Sequence, residues 1–172
     1  MIMWIVGLSG AGKTTIGRKV YEQWKARESN TVLIDGDEVR AIFAQDQTPG
    51  DYSLSGRRKN AERITAMCEW LDRQGINVVC CILSVFPDMR AENRDRFSDY
   101  FEVYIKVPVD NLIKRDDKGI YGPAMRGETT NVVGVDIPFQ EPETSNLAID
   151  NSNFNTPPEE AARIILKQAG IE

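Results

Sequence analysis

A sheet of about five parallel strands, doubly wound by helices in the α/β manner, is the fold this sequence predicts, and three observations predict it. Short runs rich in β-branched and aromatic residues alternate with longer segments whose apolar residues recur every three or four positions, the succession of strand and helix that this class requires. Those short runs are continuously apolar, which suits strands buried on both faces. A glycine-rich turn follows the first run directly, at the carboxyl end of a strand, where open α/β sheets bind their ligands.

Residues 2–6 (IMWIV) are the first predicted strand and residues 31–34 (TVLI) the second. A helix is predicted over 57–74, where Ala61, Ile64, Met67, Cys68 and Leu71 share one face and Arg and Glu fill the other. Strands are predicted again at 77–83, 101–107 and 147–149. Thr156, Pro157, Pro158 and Glu159 then announce the last helix, as an N-cap, a proline at the first helical position and a capping-box acid. Ala162, Ile165, Leu166 and Ala169 give it one apolar face. Residues 45–56 and 116–146 show no period. The second stretch is long for a connection in a compact domain, and loops of that size tend to be functional. It contains NVVGVDIPF (131–139), which is read as part of a lid rather than as a core strand.

The chain of 172 residues favours one domain, 1–172, with its lid at about 116–146. A net charge of −5 argues against a general nucleic-acid or membrane-surface binder, so an anionic ligand must be met by local positive charge. No apolar run approaches the length of a membrane helix, and MIMWIVGL lacks the basic start of a signal peptide; the expected setting is the cytoplasm. Cys68, Cys80 and Cys81 have no zinc-ligand spacing and are read as core thiols. There is no histidine, which excludes Ser-His-Asp and Cys-His nucleophilic catalysis and histidine-ligated metal chemistry.

The turn after the first strand, Gly7-Leu8-Ser9-Gly10-Ala11-Gly12-Lys13-Thr14, matches GxxxxGK[ST] in full. Glycines let the backbone turn its amides on phosphate oxygens, Lys13 reaches the β and γ phosphates, and the Thr14 hydroxyl suits Mg2+. With Thr15, at the positive end of the next helix, these residues make a P-loop for ATP. The second strand runs into Asp35-Gly36-Asp37, two carboxylates at the ligand-binding edge of the sheet; Asp37 could equally cap the helix it precedes. The third strand leads to Ser84 and not to an acid, unlike motor ATPases and signalling GTPases, and NKxD is absent. The acids on the second strand point to a small-molecule kinase.

Several pieces in order then resemble the adenylyl-sulfate (APS) kinase family: GLSGAGKTT, IDGDEVR, Arg57-x-x-Asn60 with Arg63, Ser84 with Arg90 downstream, DDKGIY at 116–121, GVDIPFQEPE and LAIDN. The resemblance runs nearly end to end. It implies a P-loop NTPase-type fold and transfer of the γ-phosphate of ATP to the ribose 3'-hydroxyl of an activated nucleotide. Carried over residue by residue, it implies Asp35 and Asp37 as the acidic pair near the acceptor hydroxyl. Asp37 is favoured as the base, while Asp35 joins Thr14 near the metal. It also implies that Arg40, Tyr52, Arg57, Asn60, Ser84, Lys118, Val132 and Val133 surround the acceptor. Arginine forks suit phosphate or sulfate oxygens. Arg58 and Lys59 are read as a solvated helix face. A homodimer is the assembly the resemblance implies.

Three positions depart from the family pattern. Val132-Val133-Gly134 stands where a Phe-Thr-Gly is usual, so one of two rings that would hold the base is missing, and Tyr52 keeps the other. Val85 replaces a proline after Ser84. The resemblance therefore implies adenylyl sulfate as first acceptor and cytidine diphosphoramidate, a smaller pyrimidine substrate, as the alternative. A non-catalytic ATP-binding module is the alternative of another class, and the intact Lys13 and both aspartates count against it.

Overall fold

The computed structural model describes residues 1–171, without the side chain of Pro49. Five parallel strands form one sheet in the order β2-β3-β1-β4-β5. They are β1 (Ile2–Val6), β2 (Thr31–Asp35), β3 (Asn77–Ile82), β4 (Tyr100–Lys106) and β5 (Leu147–Asp150). β1 lies at the centre, with Ile2 paired to Val78 of β3 on one side and Tyr100 of β4 on the other. The helices are α1 (Lys13–Lys25), α2 (Gly36–Ile42), α3 (Leu54–Asp72), α4 (Pro87–Arg96), α5 (Val109–Arg115), α6 (Tyr121–Met125) and α7 (Pro158–Gln168). Every predicted strand is present within two residues of its predicted bounds. The second extends to include Asp35, and the fourth starts at Tyr100.

Strand periodicity sorts the core into two layers. Met3, Ile5, Val79, Cys81, Val103 and Ile105 face α1 and α7, whereas Ile2, Trp4, Val6, Val78, Cys80 and Ile82 face α3 and α4. Both sets are buried, which is why the strands read as unbroken apolar runs. All three cysteines are buried and free. Burial pushes the Cys81 thiol up to about 12 and raises Cys80 as well, so neither is a ready thiolate at neutral pH. α1 packs closely on β3 because Gly17 has no Cβ: one built there would lie 2.2 Å from Cys81 Sγ.

Four local expectations are corrected. α7 begins at Pro158, with Pro157 as an uncapped N-cap in extended geometry (φ −56°, ψ 134°), and no capping box forms. The ring of Pro158 disfavours helical geometry in the residue before it, so Thr156 cannot be the cap. The cap of α2 is Asp35 and not Asp37, which lies in the first turn. Residues 116–146 are not featureless, since they contain α6 and a bridge between Val133 and Ile137. α3 starts at Leu54, three residues before its predicted start, capped by Ser53, whose side chain accepts from Gly56 N–H. Among the described residues no helix is long and apolar enough to cross a membrane.

Candidate active site

The loop between β1 and α1 is shaped by Gly12, which adopts φ 101° and would place a Cβ 3.0 Å from Asn151 Nδ2. Asn151, just after β5, donates from that nitrogen to Ala11 O at 2.9 Å, and Tyr121 donates its hydroxyl to Ser9 O at 2.8 Å. The loop is thus tied to the end of the sheet and to α6. Lys13 Nζ donates to Leu8 O at 2.8 Å. Burial draws Lys13 down to about 8, against the opposing pull of Asp37, Cys81 and Asp35.

Asp35 joins the loop to the second strand. Its Oδ2 accepts from the Thr14 hydroxyl at 2.6 Å, and its Oδ1 accepts from Asp37 N–H at 2.9 Å. Asp35 is buried, whereas the Asp37 carboxylate is exposed and accepts from Lys118 Nζ at 3.3 Å. The two acids therefore have different surroundings: one is enclosed beside a hydroxyl, and the other faces open space with a cation on it.

That space is a cavity of about 1030 Å³. Ser9, Asp37, Arg40, Tyr52, Arg57, Asn60, Ser84, Lys118, Val132 and Val133 all line it, from the P-loop across to the lid. The remaining P-loop residues and Asp35 lie outside its lining, and Thr15 is exposed on α1. Arg40 is buried and donates through Nη1 to Gln45 O and Asp51 O, with its guanidinium 4.8 Å from the centre of the Tyr52 ring. Arg57 lies 5.7 Å from the same ring and donates to Tyr52 O and Asn131 O. Part of each fork is committed to backbone carbonyls, so these arginines brace the cavity wall as well as charging it. Burial and the nearby Arg40 draw Arg57 below its ordinary value, with Tyr52, Asp37 and Asp136 opposing.

Asn60 donates to Gly36 O at 3.3 Å, while its buried Oδ1 has no protein partner among the described residues. Ser84 sits in left-handed geometry (φ 53°), accepts on its hydroxyl from Trp4 Nε1 at 3.3 Å, and accepts on its carbonyl from Arg90 at 2.6 Å. Val132 and Val133 are buried and belong to the core layer that includes Leu8 and Val107, so the lid tip is packed onto the P-loop side of the molecule. Of Arg58 and Lys59, read as a solvated face, Lys59 is exposed, and the partly exposed Arg58 lies 4.2 Å over Phe86 and pairs with Asp88 at the surface.

Some residues of this region carried no sequence signal. Phe86 lines the cavity, and Arg115 lies 4.0 Å over Phe154 beside a small recess at Ser9 and Gly10. Phe154 falls in an aperiodic loop with φ 53°, where neither spacing nor composition marks it. Asp116 is visible only as part of DDKG. Its carboxylate accepts from the N–H groups of Ile120, Tyr121 and Gly122 at 2.8–3.0 Å and so starts α6. The Gly122 and Tyr121 bonds lead in holding it below the usual carboxylate range.

The family described as adenylylsulphate kinase matches residues 1–150. The chain is 39% identical over 168 residues to the cytidine diphosphoramidate kinase of Campylobacter jejuni subsp. jejuni serotype O:2, covering 98% of this chain and 96% of that one. It is 31% identical to a probable adenylyl-sulfate kinase of Pseudomonas aeruginosa, covering 98% and 76%. In structure it resembles an APS kinase of Mycobacterium tuberculosis solved in complex with AMPPNP and APS. The TM-score is 0.85 at 26% identity, over 98% of this chain and 96% of the other.

Proposed function

Because the chain belongs to the adenylylsulphate kinase family, we propose that it transfers the γ-phosphate of ATP to the ribose 3'-hydroxyl of an activated nucleotide. The observation that carries this is the shared cavity: Ser9 of the P-loop, Asp37 and the arginines Arg40 and Arg57 open onto one space. A triphosphate seated on the P-loop amides would present its γ-phosphate there. Asp37 accepts the proton of the acceptor hydroxyl, and Lys13 with the loop amides offsets charge on the equatorial oxygens of a loose transition state. Lys118, now on Asp37, would also pair with a phosphate brought into the cavity. The Arg115 guanidinium, held over Phe154, would offer the ATP base a surface to stack on.

Mg2+ fits the oxygen pair of Thr14 and Asp35, 2.6 Å apart, since it takes one or two protein oxygens and keeps its waters and the phosphates for the rest. When bound it would neutralise charge on the β and γ phosphates.

Adenylyl sulfate is the acceptor weighed first from the sequence. The aliphatic lid and the 39% identity to a cytidine diphosphoramidate kinase favour the cytidine acceptor instead. The test supplies Mg-ATP with adenylyl sulfate, cytidine diphosphoramidate and their parent nucleotides, and follows ADP. We expect release above the ATP-only blank with one activated nucleotide and a 3'-phosphorylated product. ADP at the blank level with every acceptor would overturn the proposal and leave an ATP-binding module.

A further inference from the structure

The lid tip is held by a carboxylate that lies outside the cavity. Asp136 turns back on its own chain: Oδ2 accepts from Asn131 N–H and Oδ1 from Val132 N–H, each at 2.6 Å. Val135, Asp136 and Ile137 send their N–H groups to Val132 O at 3.1–3.2 Å, and Gly134 N–H reaches Ile137 O at 2.8 Å, which closes the turn. Asn131 takes φ 66°, and its carbonyl accepts from Arg57 Nη2 at 2.8 Å. The same guanidinium donates through Nε to Tyr52 O at 2.8 Å. One arginine thus spans the lid tip and the opposite wall, and it does so through a peptide that Asp136 holds.

Resting on the cavity being the acceptor site, we propose that Asp136 is a positioning residue for acceptor binding. Its carboxylate fixes the Asn131 and Val132 peptides. Arg57 can then bridge lid to wall, and Val132 and Val133 are set over the bound nucleotide. Asp136 is exposed and is not part of the cavity lining, so it acts through Asn131 and Arg57 and touches no substrate. A carboxylate accepting two N–H groups makes stronger bonds than a neutral oxygen would. Its loss loosens the turn at Asn131 and Val132, while the P-loop backbone stays fastened by Asn151 and Tyr121.

The test compares Asp136→Ala and Asp136→Asn in the full chain. Asp136→Ala should raise the acceptor KM about tenfold, the loss of one to two such bonds, with kcat and the ATP KM within about twofold. Asp136→Asn keeps the shape and one acceptor oxygen, and should raise the acceptor KM less. Amide hydrogen exchange supplies a readout without turnover: residues 129–137 should exchange faster in Asp136→Ala while the β1 amides stay as they were. An unchanged acceptor KM, an equal rise in both KM values, or unchanged exchange in the lid would each overturn the proposal. If the unaltered protein turns over no acceptor, the kinase assignment falls by itself, and exchange alone decides whether Asp136 holds the lid.

Discussion

Lys13 stands where burial and charge oppose each other, and the balance can be read in solution. With its pKa at about 8, the ammonium is complete below neutral pH and is lost as pH rises through 8. A neutral lysine cannot offset phosphate charge, so kcat/KM for ATP should fall above about pH 8, reporting the free enzyme. A profile flat to pH 10 would show that loss of the Lys13 proton does not limit the use of ATP in that range. Asp37 differs from Asp35 in being exposed and facing the cavity. Asp37→Ala should therefore collapse turnover and leave ATP affinity within a few-fold, measured by calorimetric titration with ATP. Asp35→Ala should weaken both, because Asp35 touches Thr14. Val132→Phe should shift the kcat/KM ratio toward adenylyl sulfate, since a ring there regains a stacking surface worth about 1 to 3 kcal/mol. Val132 is also packed in the core, so part of that gain is offset by repacking.

At the scale of elements, α1 must sit directly on β3 to aim the P-loop at the cavity. Gly17→Ala puts a Cβ against Cys81 Sγ and should cost about 1 to 3 kcal/mol of stability by overpacking, seen as a lower urea midpoint. Adding Cys81→Ala should return most of that loss, and additive losses in the double variant would show that the two sites do not meet. The strands were legible because both faces of the sheet are covered, so apolar continuity marked them. Helix ends were less legible. Pro157 and Pro158 offered two possible starts, and only the restriction that Pro158 places on its neighbour selects one. α6 has five residues, too few to show a period in the sequence although Tyr121 and Ala124 are buried; it starts where Asp116 collects three backbone N–H groups, a contact with no periodic trace.

For the whole molecule, ATP that binds only the folded chain must raise its stability by mass action. At a hundredfold excess over Kd the gain is about 2.7 kcal/mol, or roughly 5–10 °C in melting temperature for a chain of this size. The gain should be absent in Lys13→Ala at the same ATP concentration. The sequence by itself determined the α/β class, the strand order in the chain, the phosphate loop and many of the residues that line the cavity, because covered strands and a glycine-rich turn obey local rules. Only the tertiary structure decided how those residues are used. Arg40 and Arg57 brace Tyr52 through carbonyls contributed by other segments, and Phe86 and Phe154 enter from aperiodic loops. NVVGVDIPF is both lid and core, with its valines packed beside Leu8 while they line the cavity. Such roles depend on contacts between residues far apart in the chain, and no window of sequence contains them.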